Sequence, residues 1–224
     1  MNQPPSYPPA IFCIGRNYAA HAAEMGTAHT DTPLHPTVFM KNPAAICASG
    51  DAIVIPPICD EHGPQVDFEG ELAVVLGRDC HDVSTNEASD CISGYAVAND
   101  VSARWWQKHG SGGQWIRGKS FDTFCPITEP VDATVIADPQ NLTLRTWVSG
   151  DLMQEATTAD MLFSVHELIA ELSRGTTLLK GTLVLTGTPE GVGAARQPQR
   201  FLRDGDEVIV EIEGIGRLQN PVRS

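Results

Sequence analysis

Apolar and polar positions alternate through DEVIVEIEG, residues 206–214, the period of a strand with one buried and one wet face. AIFCIG at 10–15 is instead a short continuous apolar run, which predicts a buried strand. NYAAHAAEM at 17–25 reads as a short Ala-rich helix, with Asn17 placed to cap it and Gly26 to stop it. PTVFMK (36–41) and AIVIPP (52–57) predict strands on either side of a turn at Ser49, Gly50 and Asp51. VDFEGELAVVL (66–76) and GYAVAND (94–100) follow as strands, the second delivering Asp100 at its end. LTLRTWV and LMQEATT flank Ser149, Gly150 and Asp151, a hairpin signal. SVHELIAELSRG (164–175) is the clearest helix: Ser164 caps it, Val165, Leu168, Ile169 and Leu172 line one face, and Gly175 ends it. GTLVLTG (181–187) is a late strand. No repeat, linker or composition break divides the chain. The pattern predicts one strand-rich α+β domain over 11–224, preceded by an extended Pro-rich arm at 1–10.

One strand breaks the apolar pattern. Asp67, Glu69 and Glu71 alternate at its head and so share a face, opposite Phe68, Leu72, Val74 and Leu76. Neighbouring acids there are roughly 6.6 Å apart at Cα, and each pair repels by about 2 kcal/mol at an effective dielectric near 20. Either water solvates this face or a cation lies between the carboxylates. Asp100 shifts the balance, because a strand ending in an acid can complete an all-oxygen set for a hard ion, Mg²⁺ above all, with Mn²⁺ or Ca²⁺ as substitutes. As a turn cap it needs no such role.

Composition narrows the classes. The net charge is -13 and no basic run occurs, which argues against nucleic-acid or anionic-membrane surfaces. No apolar run approaches the ~20 residues of a membrane span. The start, MNQPPSYPPA, has no charged n-region or apolar h-region, so no signal peptide is expected. The six cysteines lack paired spacing and read as reduced thiols, consistent with a cytoplasmic location. GQWIRGKS (113–120) matches a phosphate loop in letters alone. No hydrophobic strand precedes it, and Pro126 and Pro130 stand where its helix belongs, so nucleotide binding is not expected.

Other candidates carry acid–base and anion chemistry. His21 and Glu24, three apart, share a helix face, where a carboxylate orients an imidazole as a general base; an ordinary surface helix explains the spacing equally well. Arg16, Arg104 and Lys119, with Gln107 nearby, are candidate anion binders. LTGTPEGVG (185–193) adds the Thr188 hydroxyl and backbone amides in a Gly-rich turn that can grip a carboxylate.

GRNYAAHAAEMG, the EGE of VDFEGELAVVLGR, GYAVANDVSAR, GKSFDTFCP, LTGTPEGVG and the closing DGDEVIVEIEGIG occur in one order from about residue 11 to residue 222. Together they resemble the fumarylacetoacetate hydrolase family in its short single-domain form. The resemblance implies a mixed β-sandwich roll of that family's C-terminal-domain type, usually a homodimer, with a Mg²⁺-type ion in a cleft. It implies Glu69, Glu71 and Asp100 as metal ligands and His21 and Glu24 as a water-activating dyad. Lys119, Gln107 and Thr188 become substrate or transition-state contacts. Asp67 lies outside the shared motif. Trp105 follows Arg104 where many relatives have an acid, which leaves substrate identity and the role of Arg104 open.

The leading expectation is hydrolysis of a carbon–carbon bond in a 2,4-dioxo acid of the acylpyruvate type, through a metal-stabilised enolate, with Lys119 assisting. The alternative keeps the site and changes the reaction: oxaloacetate decarboxylase, keto–enol tautomerase or isomerase of unsaturated dioic acids. A metal-binding module without catalysis is a third reading, for which neither the dyad nor Lys119 is needed.

Overall fold

The computed structural model describes residues 7–26 and 33–224. Most of the Pro-rich arm, residues 1–6, lies outside the described residues. The larger of two main sheets is mixed. Its strand order is Thr37–Lys41, Ile11–Gly15, Leu183–Leu185, Gly70–Leu76, Ile92–Asn99, Cys125–Ile127 and Ile46–Ala48, with Val131–Asp132 also pairing Ile92–Asn99. Ile11–Gly15 runs parallel to Leu183–Leu185, and Ile46–Ala48 parallel to Cys125–Ile127. The second sheet orders Asp151–Thr157, Thr143–Val148, Glu207–Ile212, Gly216–Arg223 and Ile53–Val54. The strand-rich α+β expectation and the mixed sandwich both hold.

The sheets enclose one main core. Leu72, Val74 and Leu76 from the first sheet join Leu144, Val208, Val210 and Ile212 from the second. At about 1.5–3 kcal/mol for each large aliphatic side chain removed from water, this face dominates the stabilisation. Ala73 and Val75, on the other phase of the same strand, join a smaller cluster with Cys13 and Leu185. Gly70 is a close-approach position: a Cβ there would meet Thr146 Oγ1 at 2.2 Å.

The local expectations fare unevenly. The hairpin forms, and Ser149 and Gly150 have φ of 51° and 90°, the left-handed pair of a type I′ turn. The helix Val165–Ser173 carries a complete capping box, Ser164 with Glu167. Asn17, in contrast, does not cap Ala19–Glu24; the cap position is Tyr18 and no side chain bonds there. The Asn17 amide instead donates to Phe163 O and Thr186 O, because a buried amide satisfies itself wherever backbone partners converge. AIVIPP shrinks to Ile53–Val54, broken by the prolines after it. The 36–41 and 52–57 segments join different sheets rather than flanking one turn.

Candidate active site

The acidic strand is interrupted at its head. Val66–Asp67 pairs with Ser102–Ala103, and the long strand begins only at Gly70. The solvated-face reading fails outright, since Asp67, Glu69, Glu71 and Asp100 are 0, 4, 1 and 0% exposed. Four charges out of water require cations or protons.

Carboxylate oxygens of Glu69, Glu71 and Asp100 lie within 4.8 Å of one another. Lys119 Nζ stands 2.6 Å from both Glu69 Oε2 and Asp100 Oδ2. Arg104 Nη1 lies 2.6 Å from Glu69 Oε1, and its Nε donates to Asp67 Oδ2 at 2.8 Å. Lys41 Nζ donates to Asp100 Oδ1 and, at 3.2 Å, to Val101 O. Among the described residues Glu71 has no cation of its own; the Gly187 amide donates to its Oε2 at 2.8 Å. Burial and the charges of Asp100 and Glu69 push its pKa well above the ordinary carboxylate value. Burial works in the same direction on Glu69, but Lys119 and Arg104 overcome it and hold that carboxyl low. Among the described residues three cations stand against these four acids, and Glu71 is the carboxyl left without one. An all-oxygen set with one charge unmet, already bridged in part by an ammonium, suits a hard divalent ion.

Lys119 reaches this position from a tight turn, Ile116–Lys119, far too short to be the helix a phosphate loop opens. Gly118 makes it possible: a Cβ there would meet the Gln107 backbone N at 2.4 Å, so the turn packs flush on the helix Arg104–Lys108. Gln107 accepts from Arg104 Nη1 at 3.2 Å.

The Gly-rich stretch behaves differently from expectation. Its amides grip carboxylates of the protein itself: Gly187 takes Glu71, Gly191 takes Glu24 at 2.9 Å, and Gly193 and Ala194 take Asp67 at 2.7 and 3.0 Å. Thr188 donates to Gly70 O and accepts from Gln154 Nε2. Glu24 Oε1 lies 2.8 Å from His21 Nδ1, leaving Nε2 as the free ring nitrogen of a buried histidine.

A cavity of about 630 Å³, its open mouth included, is lined by His21, Glu69, Glu71, Lys119 and Thr188, and also by Arg16, Arg104 and Gln107. Every site candidate named from the sequence lines it except two. Glu24 is bonded to His21 and Asp100 is ion-paired to Lys41 and Lys119, and neither acid is part of the lining. Trp105 is not part of the lining; it stacks on His62 with ring centroids 3.4 Å apart.

Sequence reasoning missed Lys41 and the part Asp67 plays. Lys41 ends an apolar strand, and a lone lysine there carries no signal of its burial until Asp100 is placed opposite. Asp67 anchors Arg104 and the Gly193 turn, so it braces the site from outside the shared motif.

A two-sheet sandwich with a buried cluster of three carboxylates, two of which, Glu69 and Glu71, line a cavity, is a framework suited to chemistry on a small molecule. Residues 10–223 match the fumarylacetoacetate (FAA) hydrolase C-terminal family. The chain belongs to the fumarylacetoacetate hydrolase family. It is 44% identical over 220 residues to the mitochondrial oxaloacetate tautomerase of Xenopus laevis, covering 98% of this chain and 67% of that one. With oxaloacetate tautomerase YisK of Bacillus subtilis it shares 43% identity over 213 residues, 95% of this chain and 69% of the relative. Among solved structures, a 5-carboxymethyl-2-hydroxymuconate delta-isomerase from Mycobacterium smegmatis superposes with a TM-score of 0.81 at 41% identity, covering 96% of this chain and 78% of that one. These relatives bear the names of the alternative expectation, tautomerase and isomerase, rather than of a carbon–carbon hydrolase. No helix among the described residues is long and apolar enough to cross a membrane. The Xenopus relative is mitochondrial, so the relatives do not single out the cytoplasm.

Proposed function

We propose that the protein is a keto–enol tautomerase of a 2-oxo dicarboxylic acid of the oxaloacetate type. The observation that carries this reading is that His21, bonded to Glu24, lines the same cavity as Glu69 and Glu71. It is supported by 43–44% identity to oxaloacetate tautomerases over nearly the whole chain. Glu69, Glu71 and Asp100 would hold a divalent ion, Mg²⁺ by the chemistry of the donors, and when bound it supplies Lewis-acid polarisation of a 2-oxo carboxylate.

The chain's own groups then move one proton. Glu24 accepts from the Nδ1–H of His21, which leaves the Nε2 lone pair free as base. Nε2 removes a proton from the carbon beside the 2-oxo group, and a proton returns to the oxygen as the enol forms; no bond between heavy atoms breaks. Lys119, held between Glu69 and Asp100, favours negative charge developing on the substrate. Gln107 and Thr188 orient the substrate from the cavity wall.

Hydrolysis of an acylpyruvate stands second, carried by the fitness of the same dyad to activate water. A homodimer is part of the reading by family resemblance. The test follows the enol absorbance of oxaloacetate with Mg²⁺, with chelator, and beside an acylpyruvate panel. Ketonisation accelerated only with the ion supports tautomerisation. Cleavage of acylpyruvates with no effect on enol decay overturns it in favour of hydrolysis.

A further inference from the structure

Among the described residues, two cations on the cavity wall have no carboxylate partner. Arg104 and Lys119 are each paired with two acids. Arg16 and Lys108 form no ion pair with any described acid, although the protein carries a net charge of -13. In so acidic a chain, a guanidinium left without an acid beside a cavity is placed for an anion from outside.

The wall between the two ends is aromatic. The Arg16 guanidinium lies 5.5 Å from the Trp115 ring centroid. Trp115 lies 5.3 Å from Phe39, and Phe39 is 5.1 Å from Lys119 Nζ. One face thus runs from the triad end, through two rings, to Arg16. Trp115 is seated by Gly15, where a Cβ would meet its ring at 2.5 Å. Arg16 itself has φ of +60°, a backbone state that L-residues rarely adopt and that recurs at ligand sites. Lys108 is one helical turn beyond Arg104 on the helix that borders the cavity. Guanidinium is the group of choice for a planar carboxylate, and stacking on Trp115 pre-organises it.

We propose that Arg16, assisted by Lys108, binds the distal carboxylate of the substrate and so makes the site selective for dicarboxylates over 2-oxo acids with an uncharged tail. The proposal deepens the preceding reading and rests on it for the triad end as the seat of the 2-oxo acid.

The experiment measures both turnover and equilibrium binding in the Mg²⁺-loaded protein, with Arg16→Gln, Arg16→Lys and Lys108→Gln checked for folding by circular dichroism. Calorimetric probes are lactate, which has only the 2-hydroxy acid end, and its dicarboxylate homologues malate and 2-hydroxyglutarate. Wild type should prefer at least one dicarboxylate, and Arg16→Gln should lose that preference by about 10–100-fold, the worth of a charged hydrogen bond. Lactate binding should change less than about threefold, since it lacks the distal carboxylate that a charged hydrogen bond would hold. Arg16→Lys should recover part of the preference and Lys108→Gln should lose a smaller share. In turnover, Arg16→Gln should raise KM for oxaloacetate more than it lowers kcat. No dicarboxylate preference in wild type, or equal losses for lactate and the dicarboxylates, overturns the proposal. Dicarboxylate preference through Arg16 without enol turnover upholds the clamp and rejects the tautomerase reading alone.

Discussion

The amide of Gly191 donates to Glu24 Oε2 at 2.9 Å while Glu24 Oε1 holds His21 Nδ1 at 2.8 Å. A turn 167 residues away in sequence therefore sets the orientation of the imidazole. Gly191 has φ of +100°, and a Cβ there would meet Met153 O at 2.1 Å. Gly191→Ala is expected to shift this turn, lowering kcat by at least about tenfold through misorientation of His21. His21→Ala should cost about 10²–10⁴-fold, the usual worth of a general base. Steady-state rates on oxaloacetate, with metal affinity measured in parallel, check both. Full activity in His21→Ala would remove the dyad from the chemistry.

Glu71 links metal binding to pH. Its pKa in the folded protein lies above its ordinary value because of burial and the neighbouring Asp100 and Glu69 charges. The proton it retains contributes stability that is complete below the unfolded value and disappears as pH rises through the folded one. Glu69 has the opposite sign, and its contribution is already complete above its own unfolded value. The metal-free protein should therefore lose Tm as pH is raised from about 5, with the Glu71 charge uncompensated. Glu71→Gln should flatten this slope and raise Tm at neutral pH, while Mg²⁺ affinity falls. Thermal melts across pH, with chelator and with Mg²⁺, decide it.

Removing the ammonium of Lys119 leaves Glu69 and Asp100 without a shared cation. Lys119→Met should destabilise the metal-free protein by about 3–5 kcal/mol, the cost of breaking a buried pair. Mg²⁺ should restore much of that loss, and its affinity should hold or rise, since a competing positive charge is gone. Turnover should still fall by orders of magnitude. Denaturant titrations with and without Mg²⁺ separate the two effects.

Lys41 provides a contrast. It is 1% exposed, contacts Asp100 and is not among the residues that line the cavity. Lys41→Met should lower stability by a similar amount and misplace the Asp100 carboxylate, weakening Mg²⁺ binding rather than strengthening it. Isothermal titration with Mg²⁺ distinguishes this positioning role from that of Lys119.

Much of the molecule was determined locally. The turn at Ser149 and Gly150, the capping box of Ser164 and Glu167, and the strand Glu207–Ile212 that its apolar positions predict are short-range effects, each decided by a few neighbouring side chains. The shared motifs also carried the triad, the dyad and Lys119. What the tertiary structure alone decided is which partner each polar group finds. Asn17 bonds to backbone at 163 and 186 instead of capping its helix, since those carbonyls arrive from distant segments. The amides of Gly187, Gly191, Gly193 and Ala194 bind the protein's own Glu71, Glu24 and Asp67. Lys41 meets Asp100 across 59 residues. Spacing along a chain sets which side chains share a face, but the compensation of a buried charge is a sum over everything packed around it, and that sum exists only once the sheets have closed.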